Sequence, residues 1–428
     1  MTATYIVGDV FDVLATIPDG SVDLVMTSPP FLALRSYLPP DHPDKHKEIG
    51  SEPTPAAFLD TLLALTAEWR RVLAPHGSIC VELGDTYSGS GGAGGDYGEG
   101  GLRDGQERFD GSARRSGQRV KLADGRTIQP NGIGNGQART GNGWPLDKSL
   151  CGIPHLYHLS LAYGRNLLTG APSPAGQWRV RNVVAWCRPN PPVGALGDKF
   201  RPATSYLTVA CTSRTRYFDL DAVRTPTPDQ PRVTRVGQAS ASKGISGGDS
   251  GNPDKERLTH NPAGAPPLDH WIIPTAPFKG AHYATYPEAL CVRPIAAISP
   301  EKVCTVCGEP SRRIVDVEYE PHGIRREEPK SVRGFGVQNG EHAQAFEHGR
   351  ASKHTTTVGW TDCGHDAWRP GHVLDPFAGS GTTLAVAVGH GRTATGIDLD
   401  ERNLDLARDR LGMFLTEHRP TVDHELPA

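Results

Sequence analysis

Short apolar runs alternate with stretches of helical spacing along much of this chain. Tyr5-Ile6-Val7 reads as a strand, Val10–Leu14 as a brief helix, and Pro18-Asp19-Gly20 as a turn. A second apolar strand over 22–26 then runs straight into Thr27-Ser28-Pro29-Pro30. Over 55–73 the apolar residues Phe58, Leu62, Leu65, Trp69 and Leu73 recur at helical spacing, and Pro55 suits the first turn. Pro75-His76-Gly77 ends that helix, and 78–83 is a buried strand. Further on, 153–168 reads as a helix, and 178–180, 183–186, 206–210 and 217–219 as extended segments. The last sixty or so residues are the most regular. They run strand 372–374, glycine turn 379–381, helix 382–388, strand 394–398 and helix 402–415, the last with Leu404, Ala407, Leu411 and Phe414 on one side. This βα alternation predicts an α/β domain with a mainly parallel sheet and helices on both faces.

Three stretches break the rhythm: 88–143, 224–266 and 316–358 are polar and rich in Gly, Ser or Pro, and read as loops. Within 101–140 there are 8 Lys and Arg against 4 Asp and Glu, a local net of +4. That segment is either a linker or a loop that orders on a polyanion. The whole chain of 428 residues has 45 Lys and Arg against 48 Asp and Glu, a net of −3, which excludes a globally basic nucleic-acid coat but not a local cleft. Hydrophobic residues make up 37%, enough for a large core, and the 50 Gly and 37 Pro agree with long loops. A strand opens the chain where a signal peptide would stand, and no apolar run approaches a membrane span, so a cytoplasmic, reducing location is expected.

Two segments carry chemistry. Asp375-Pro376-Phe377-Ala378-Gly379-Ser380-Gly381-Thr382-Thr383 leaves a strand through a glycine turn into a helix, and Asp398 ends the next strand 23 residues after Asp375. Glycine there lets backbone approach a ligand, and an acid at that strand end can accept ribose hydroxyls. The full dinucleotide fingerprint is missing, because position 384 is Leu. A nucleoside without a pyrophosphate, S-adenosylmethionine, fits better; a turn that only packs helix on strand is the alternative. The second segment is Thr27-Ser28-Pro29-Pro30-Phe31. Two prolines remove two backbone donors, so the Pro29 carbonyl can accept from outside. Ser28 adds an acceptor and Phe31 a stacking face. Two acceptors on an exocyclic amine draw its lone pair toward an electrophile. A rigid turn after a strand is the alternative.

With these residues the chain resembles the DNA amino-methyltransferases of the β arrangement, in which the catalytic half precedes the cofactor half. Gly8-Asp9, 21–25 and the Ser28 segment, 71–78, Asn182-Val183-Val184-Ala185-Trp186-Cys187-Arg188-Pro189-Asn190-Pro191, Ala281-His282-Tyr283-Ala284-Thr285-Tyr286-Pro287 and the Asp375 segment carry the likeness. The resemblance implies one Rossmann-like S-adenosylmethionine-dependent domain with long loop insertions. Ser28, Pro29, Pro30 and Phe31 would present a flipped base. Asp9, Thr27, His282, Thr285, Pro287, Asp375, Pro376, Phe377, Ala378, Gly379, Gly381, Thr382 and Asp398 would hold the cofactor. Relatives with Ser at the head of the loop mostly act on cytosine N4, those with Asp on adenine N6, so Ser28 favours cytosine. Implied partners are double-stranded DNA, a cognate restriction endonuclease and a second copy of the chain, with no membrane.

Residues 1–87 would then form the catalytic half, continued at 151–223. Residues 88–150 would be a basic target-recognition insertion, with Arg103, Arg108, Arg114, Arg115, Arg119 and Lys121 on DNA. Residues 224–266 would be a flexible loop, 267–300 a lead into the cofactor half, 369–418 that half and 419–428 a tail. Between them, 301–368 reads as a zinc-knuckle insertion. Cys304-Thr305-Val306-Cys307 is a CxxC knuckle, and Cys363-Gly364-His365 begins 56 residues after Cys307. Three thiolates and an imidazole can close a structural zinc site. Adenine N6 is the alternative target within the same class, and methylation of RNA or of a protein amide a third option; a catalytically inactive, zinc-bearing DNA-binding module is the competing function from another class.

Overall fold

The computed structural model describes residues 1–34, 37–38, 41–88, 120–121, 127–128, 143–191, 199–226, 233–235, 256–258, 264–275, 285–321 and 351–418. The chain divides into two compact units. The first holds Met1–Phe218, Leu268–Pro310 and His365–Ala428, and the second Asp219–Pro267 and Ser311–Gly364.

The first unit is built on one nine-stranded sheet. Its strands are β1 (Ala3–Val7), β2 (Val22–Thr27), β3 (Leu73–Leu83), β4 (Arg179–Cys187), β5 (Thr204–Cys211), β6 (His270–Ile272), β7 (His372–Asp375), β8 (Thr393–Asp398) and β9 (Leu415–His418), in spatial order β6-β4-β5-β3-β2-β7-β8-β1-β9. Every neighbouring pair is parallel except the two that involve β5. The carboxyl ends of β1, β2, β3, β4, β7 and β8 therefore share one edge. Among the described residues the α-helices are α1 (Val10–Leu14), α2 (Pro55–Val72), α3 (Ile153–Tyr163), α4 (Glu288–Ile298), α5 (Thr382–Gly389) and α6 (Arg402–Leu411).

Local chemistry explains the boundaries. Thr54 caps α2 by accepting from the Ala57 N–H at 3.1 Å, and Pro55 takes the first turn, where a missing N–H costs nothing. The apolar stripe of α2, including Phe58, Leu62 and Trp69, packs into a core shared with Leu14, Val25, Ile79 and Val81. The helix stops one residue earlier than its stripe predicts, because Pro75 cannot extend it. Leu73 is already extended and opens β3. The helix expected over 153–168 ends at Tyr163, where Gly164 turns left-handed. The one expected over 402–415 ends at Leu411, and residues 415–418 form β9 beside β1.

Among the described residues, several elements depart from the expectation. α4 carries Pro294 in its interior, which speaks against a helix on propensity alone. β6 is only three residues long. In the second unit, part of the segment expected to be loop is a long antiparallel ladder, Arg313–Pro321 against Ala351–Trp360. A shorter ladder, Val233–Arg235 against Glu256–Leu258, lies within the stretch expected as the flexible loop 224–266. Asp219 accepts from Arg313 at 2.7 Å in that unit.

At the start of β2 the fully buried Asp23 accepts from Arg369 at 2.6 and 3.1 Å, His76 Nε2 at 2.8 Å and the His372 N–H at 2.7 Å. Burial pushes its carboxyl up, but the bonds from His76 and Arg369 outweigh that and hold it below the usual carboxylate range.

Candidate active site

A cavity of about 1070 Å³ opens along the shared carboxyl edge. One part is floored by the β1, β7 and β8 ends. Asp9, Thr285, Pro376, Phe377, Ala378, Gly379, Thr382 and Asp398 line it. Asp9 caps α1, its Oδ1 accepting from the Phe11 and Asp12 N–H groups. Asp398 accepts from the Gly379 N–H at 2.8 Å through Oδ2, and from the Asp400 N–H and Asn403 through Oδ1. It therefore ties down the glycine turn as well as facing the cavity. Burial pushes its carboxyl up to about 6.

Thr27, Asp375, Gly381 and Pro287 are not among the residues that line the cavity. Asp375 is saturated instead. It accepts from Thr27 at 2.7 Å, Thr383 at 2.6 Å, Tyr286 at 3.0 Å and the Phe377 N–H at 3.1 Å. Its work is to join the end of β2, the lead into α4 and the turn after β7. Burial raises its carboxyl above the usual range. Gly381 begins α5 at φ +76°, and a Cβ there would come within 3.2 Å of the Ala407 Cβ. Pro287 precedes α4 as its cap. His282 lies outside the described residues.

The other part of the cavity lies at β2, β3, β5 and β4. Ser28, Pro29, Pro30 and Phe31 line it. Register places Thr27 beside Val81, so Ser28 falls next to Glu82, and its hydroxyl donates to Glu82 Oε2 at 2.6 Å. Glu82 is buried, which raises its affinity for a proton; Ser205 stands beside its carboxyl, but among the described residues no well-formed hydrogen bond reaches its Oε1. The Ser28 lone pairs are left to accept. None of the described residues donates to the Pro29 carbonyl. The Phe31 ring rests on Gly84, where an added Cβ would come within 2.5 Å of ring carbon Cε2. Glu82 is a site residue that the apolar pattern hid, although an acid within Ile79-Cys80-Val81-Glu82-Leu83 was itself a signal. Trp186, Arg188 and Tyr206 close this part.

The site thus sets two acceptors and an aromatic face beside a pocket that ends in an acid and a glycine turn. A family model described as DNA methylase (N6_N4_Mtase) matches residues 22–306 and 369–409. The chain belongs to this family. The gap in the match contains the long ladder of the second unit. The type II methyltransferase M.Cfr9I of Citrobacter freundii is 26% identical over 335 residues, 75% of this chain and 85% of its own. M.SmaI of Serratia marcescens is 21% identical over 407 residues, 95% of this DNA methylase and 89% of its own length. Among solved structures, the cytosine-N4-specific PvuII DNA methyltransferase is 12% identical with a TM-score of 0.45, covering all of this chain and 89% of that one. TTHA0409 of Thermus thermophilus, solved with S-adenosyl-L-methionine, is 17% identical with a TM-score of 0.39, covering 97% and 99%.

Away from the cavity, ligand atoms of Cys304, Cys307, Cys363 and His365 all lie within 4.8 Å of one another. The N–H groups of Val306 and Cys307 donate to Cys304 Sγ at 3.4 and 3.5 Å, and His365 Nδ1 stands 3.5 Å from it. Amides directed at sulfur favour a thiolate, and the donor set suits tetrahedral zinc. Arg103, Arg108, Arg114, Arg115 and Arg119 lie outside the described residues. Lys121 belongs to a short ladder, Val120–Lys121 against Thr127–Ile128. No helix among the described residues is long and apolar enough to cross a membrane.

Proposed function

We propose that this DNA methylase transfers a methyl group from S-adenosylmethionine to N4 of a cytosine flipped out of duplex DNA. The observation that carries the reading is the Ser28–Glu82 pair at the head of the Ser-Pro-Pro-Phe loop. An amine buried in a base pair cannot reach the floor of a cavity, so the base must leave the stack.

When bound, S-adenosylmethionine supplies a methyl group on a sulfonium. Asp398 and Asp9 offer acceptors at the β8 and β1 ends for the hydroxyls and amine of its nucleoside, and the Gly379 turn lets backbone come close. On the other side the Pro29 carbonyl and Ser28 Oγ accept from the two amine hydrogens, while Phe31 gives the base a face. Holding donor and acceptor in one cavity removes most of the entropic barrier. As N4 gains the methyl group it becomes cationic. Its surplus proton passes to Ser28 Oγ as the Ser28 proton moves to Glu82 Oε2, and burial makes Glu82 willing to take it.

The direct test is base-resolution modification sequencing of DNA from cells expressing the protein, with mass spectrometry of the nucleosides. N4-methylcytosine at one sequence is the expected product; N6-methyladenine in its place refutes the choice of base. Gly84→Ala tests the stacking face. It should displace the Phe31 ring and lower kcat/KM about tenfold, equivalent to about 1.4 kcal/mol, while calorimetry gives an unchanged S-adenosylmethionine affinity. Unaltered kcat/KM would remove Phe31 from the base site.

We further propose that Cys304, Cys307, Cys363 and His365 hold a structural zinc ion, since amine methylation needs no metal-activated water. Elemental analysis should find one zinc per chain, lost in Cys304→Ser together with thermal stability. Zinc-free protein of normal stability would exclude the site.

A further inference from the structure

Arg188 follows the last residue of β4 and reaches the same sheet edge as Ser28. Its backbone N–H donates to the Ala203 carbonyl at 2.8 Å, which fixes where the side chain starts. The guanidinium carbon lies 5.1 Å from the centroid of the Trp186 ring, which limits its swing. It lines the cavity together with Ser28, Pro29, Phe31 and Glu82. Its Nε is cut off from solvent and has no hydrogen-bond partner among the described residues; the same holds for Glu82 Oε1, although Ser205 stands beside that carboxyl. The two side chains attract one another across the cavity, yet no ion pair joins them among the described residues. A buried donor without an acceptor is costly, so this cavity is incomplete until something accepts from Arg188.

The two candidate bases differ in what they can offer. Along its pairing edge cytosine presents the N4 amine, then N3, then the carbonyl oxygen O2. Adenine presents the N6 amine, then N1, then a C–H. Arginine can only donate. With the amine held by Ser28 and Pro29, the far end of the edge is an acceptor in cytosine and a carbon in adenine.

We propose that Arg188 donates to O2 of the flipped cytosine and so selects cytosine over adenine. This rests on the cytosine N4 reading, and the two are tested separately. The wild-type product decides the base; Arg188 variants decide the reader. A polar group left unpaired by the wrong base is a strong discriminator, so the effect should be large.

The experiment uses full-length protein and two duplexes carrying the sequence found by modification sequencing, one with the natural cytosine and one with adenine at the target position. Turnover is followed with labelled S-adenosylmethionine. Arg188→Met should lower kcat/KM on cytosine about 100-fold and leave the slow adenine rate within about threefold, collapsing the preference. Arg188→Lys, which keeps a donor, should recover part of the cytosine rate. S-adenosylmethionine affinity should not change in either variant. Equal losses on both duplexes would place Arg188 on the DNA backbone or in the fold and overturn the proposal. So would a cytosine rate within twofold of wild type, or an Arg188→Lys variant no better than Arg188→Met. A wild-type product of N6-methyladenine would end the underlying reading, whatever the variants do.

Discussion

Ser28→Ala is expected to lower kcat by about 10²–10³, the range for a positioned group that helps to move a proton, with S-adenosylmethionine and DNA affinities within about twofold. The substitution removes the hydroxyl bound to Glu82, which in the proposed mechanism accepts from the amine and passes its proton on. Glu82→Gln keeps the size of the side chain and removes its ability to take a proton. It should cost a similar factor. Because the two residues act as one unit, the double variant should be no slower than the worse single one. Losses that multiply would show two independent roles and sink the relay. The pH profile gives a second check. Burial raises the Glu82 carboxyl above the ordinary glutamate range, so the wild-type kcat should fall on acidification at a pH above that range. That limb should be absent in Glu82→Gln.

The proposed relay would depend on Asp375, although Asp375 does not line the cavity. Thr27 is the last residue of β2 and donates to Asp375 at 2.7 Å, while the Phe377 N–H donates to the same oxygen at 3.1 Å. The residue before the Ser28 loop and the turn after β7 are thus fixed to one carboxylate. In the proposed mechanism that shared anchor would set the distances between the reacting groups, and a small error in such distances is expensive in rate.

Sequence made the two halves of the cavity legible because their signals are local. A proline pair after an apolar strand and a glycine turn before a helix need no long-range information. Strand ends could be placed on one edge once the βα alternation was seen. What stayed hidden was pairwise. Asp375 looks like a ligand group in the chain, but only the fold shows that four donors already occupy it. Glu82 lies on β3 and Arg188 directly after β4, two strands separated by β5, so their meeting in one cavity depends on sheet order. α4 was missed because Pro294 argues against a helix, whereas burial of Leu290, Cys291 and Ile295 stabilises one. The first strand of the ladder from Arg313 has a legible pattern. Val315, Val317 and Tyr319 alternate with polar residues at a period of two, but the long polar stretch that follows masked them.

Asp23→Asn is expected to destabilise the fold by about 3 kcal/mol, the lower end of the cost of breaking a buried charge network on one side. Asp23 is fully buried and takes four hydrogen bonds, two of them from Arg369, whose side chain remains 31% exposed. An amide in its place leaves the guanidinium without a counter-charge and turns one acceptor into a donor facing other donors. The loss should depend on pH in a defined direction. The folded carboxyl titrates below its unfolded value, so its stabilisation is complete above the unfolded pKa of about 3.9 and disappears as pH falls through that value toward the folded one. The gap between wild type and Asp23→Asn in denaturant unfolding should therefore be constant near neutrality and close on acidification into that window. His372 acts in a different range. Burial holds it at about 4, below its unfolded value, so the folded state resists protonation and stability declines as pH falls from about 6.5 toward 4. Asp23 is one of the charges that raise the His372 value, so the two contributions are coupled, and a His372→Gln background in both proteins keeps the Asp23 window readable. A gap under about 1 kcal/mol, or one that does not narrow in acid, would show that Arg369 and His76 find equivalent partners and that the network is not what secures the base of β2.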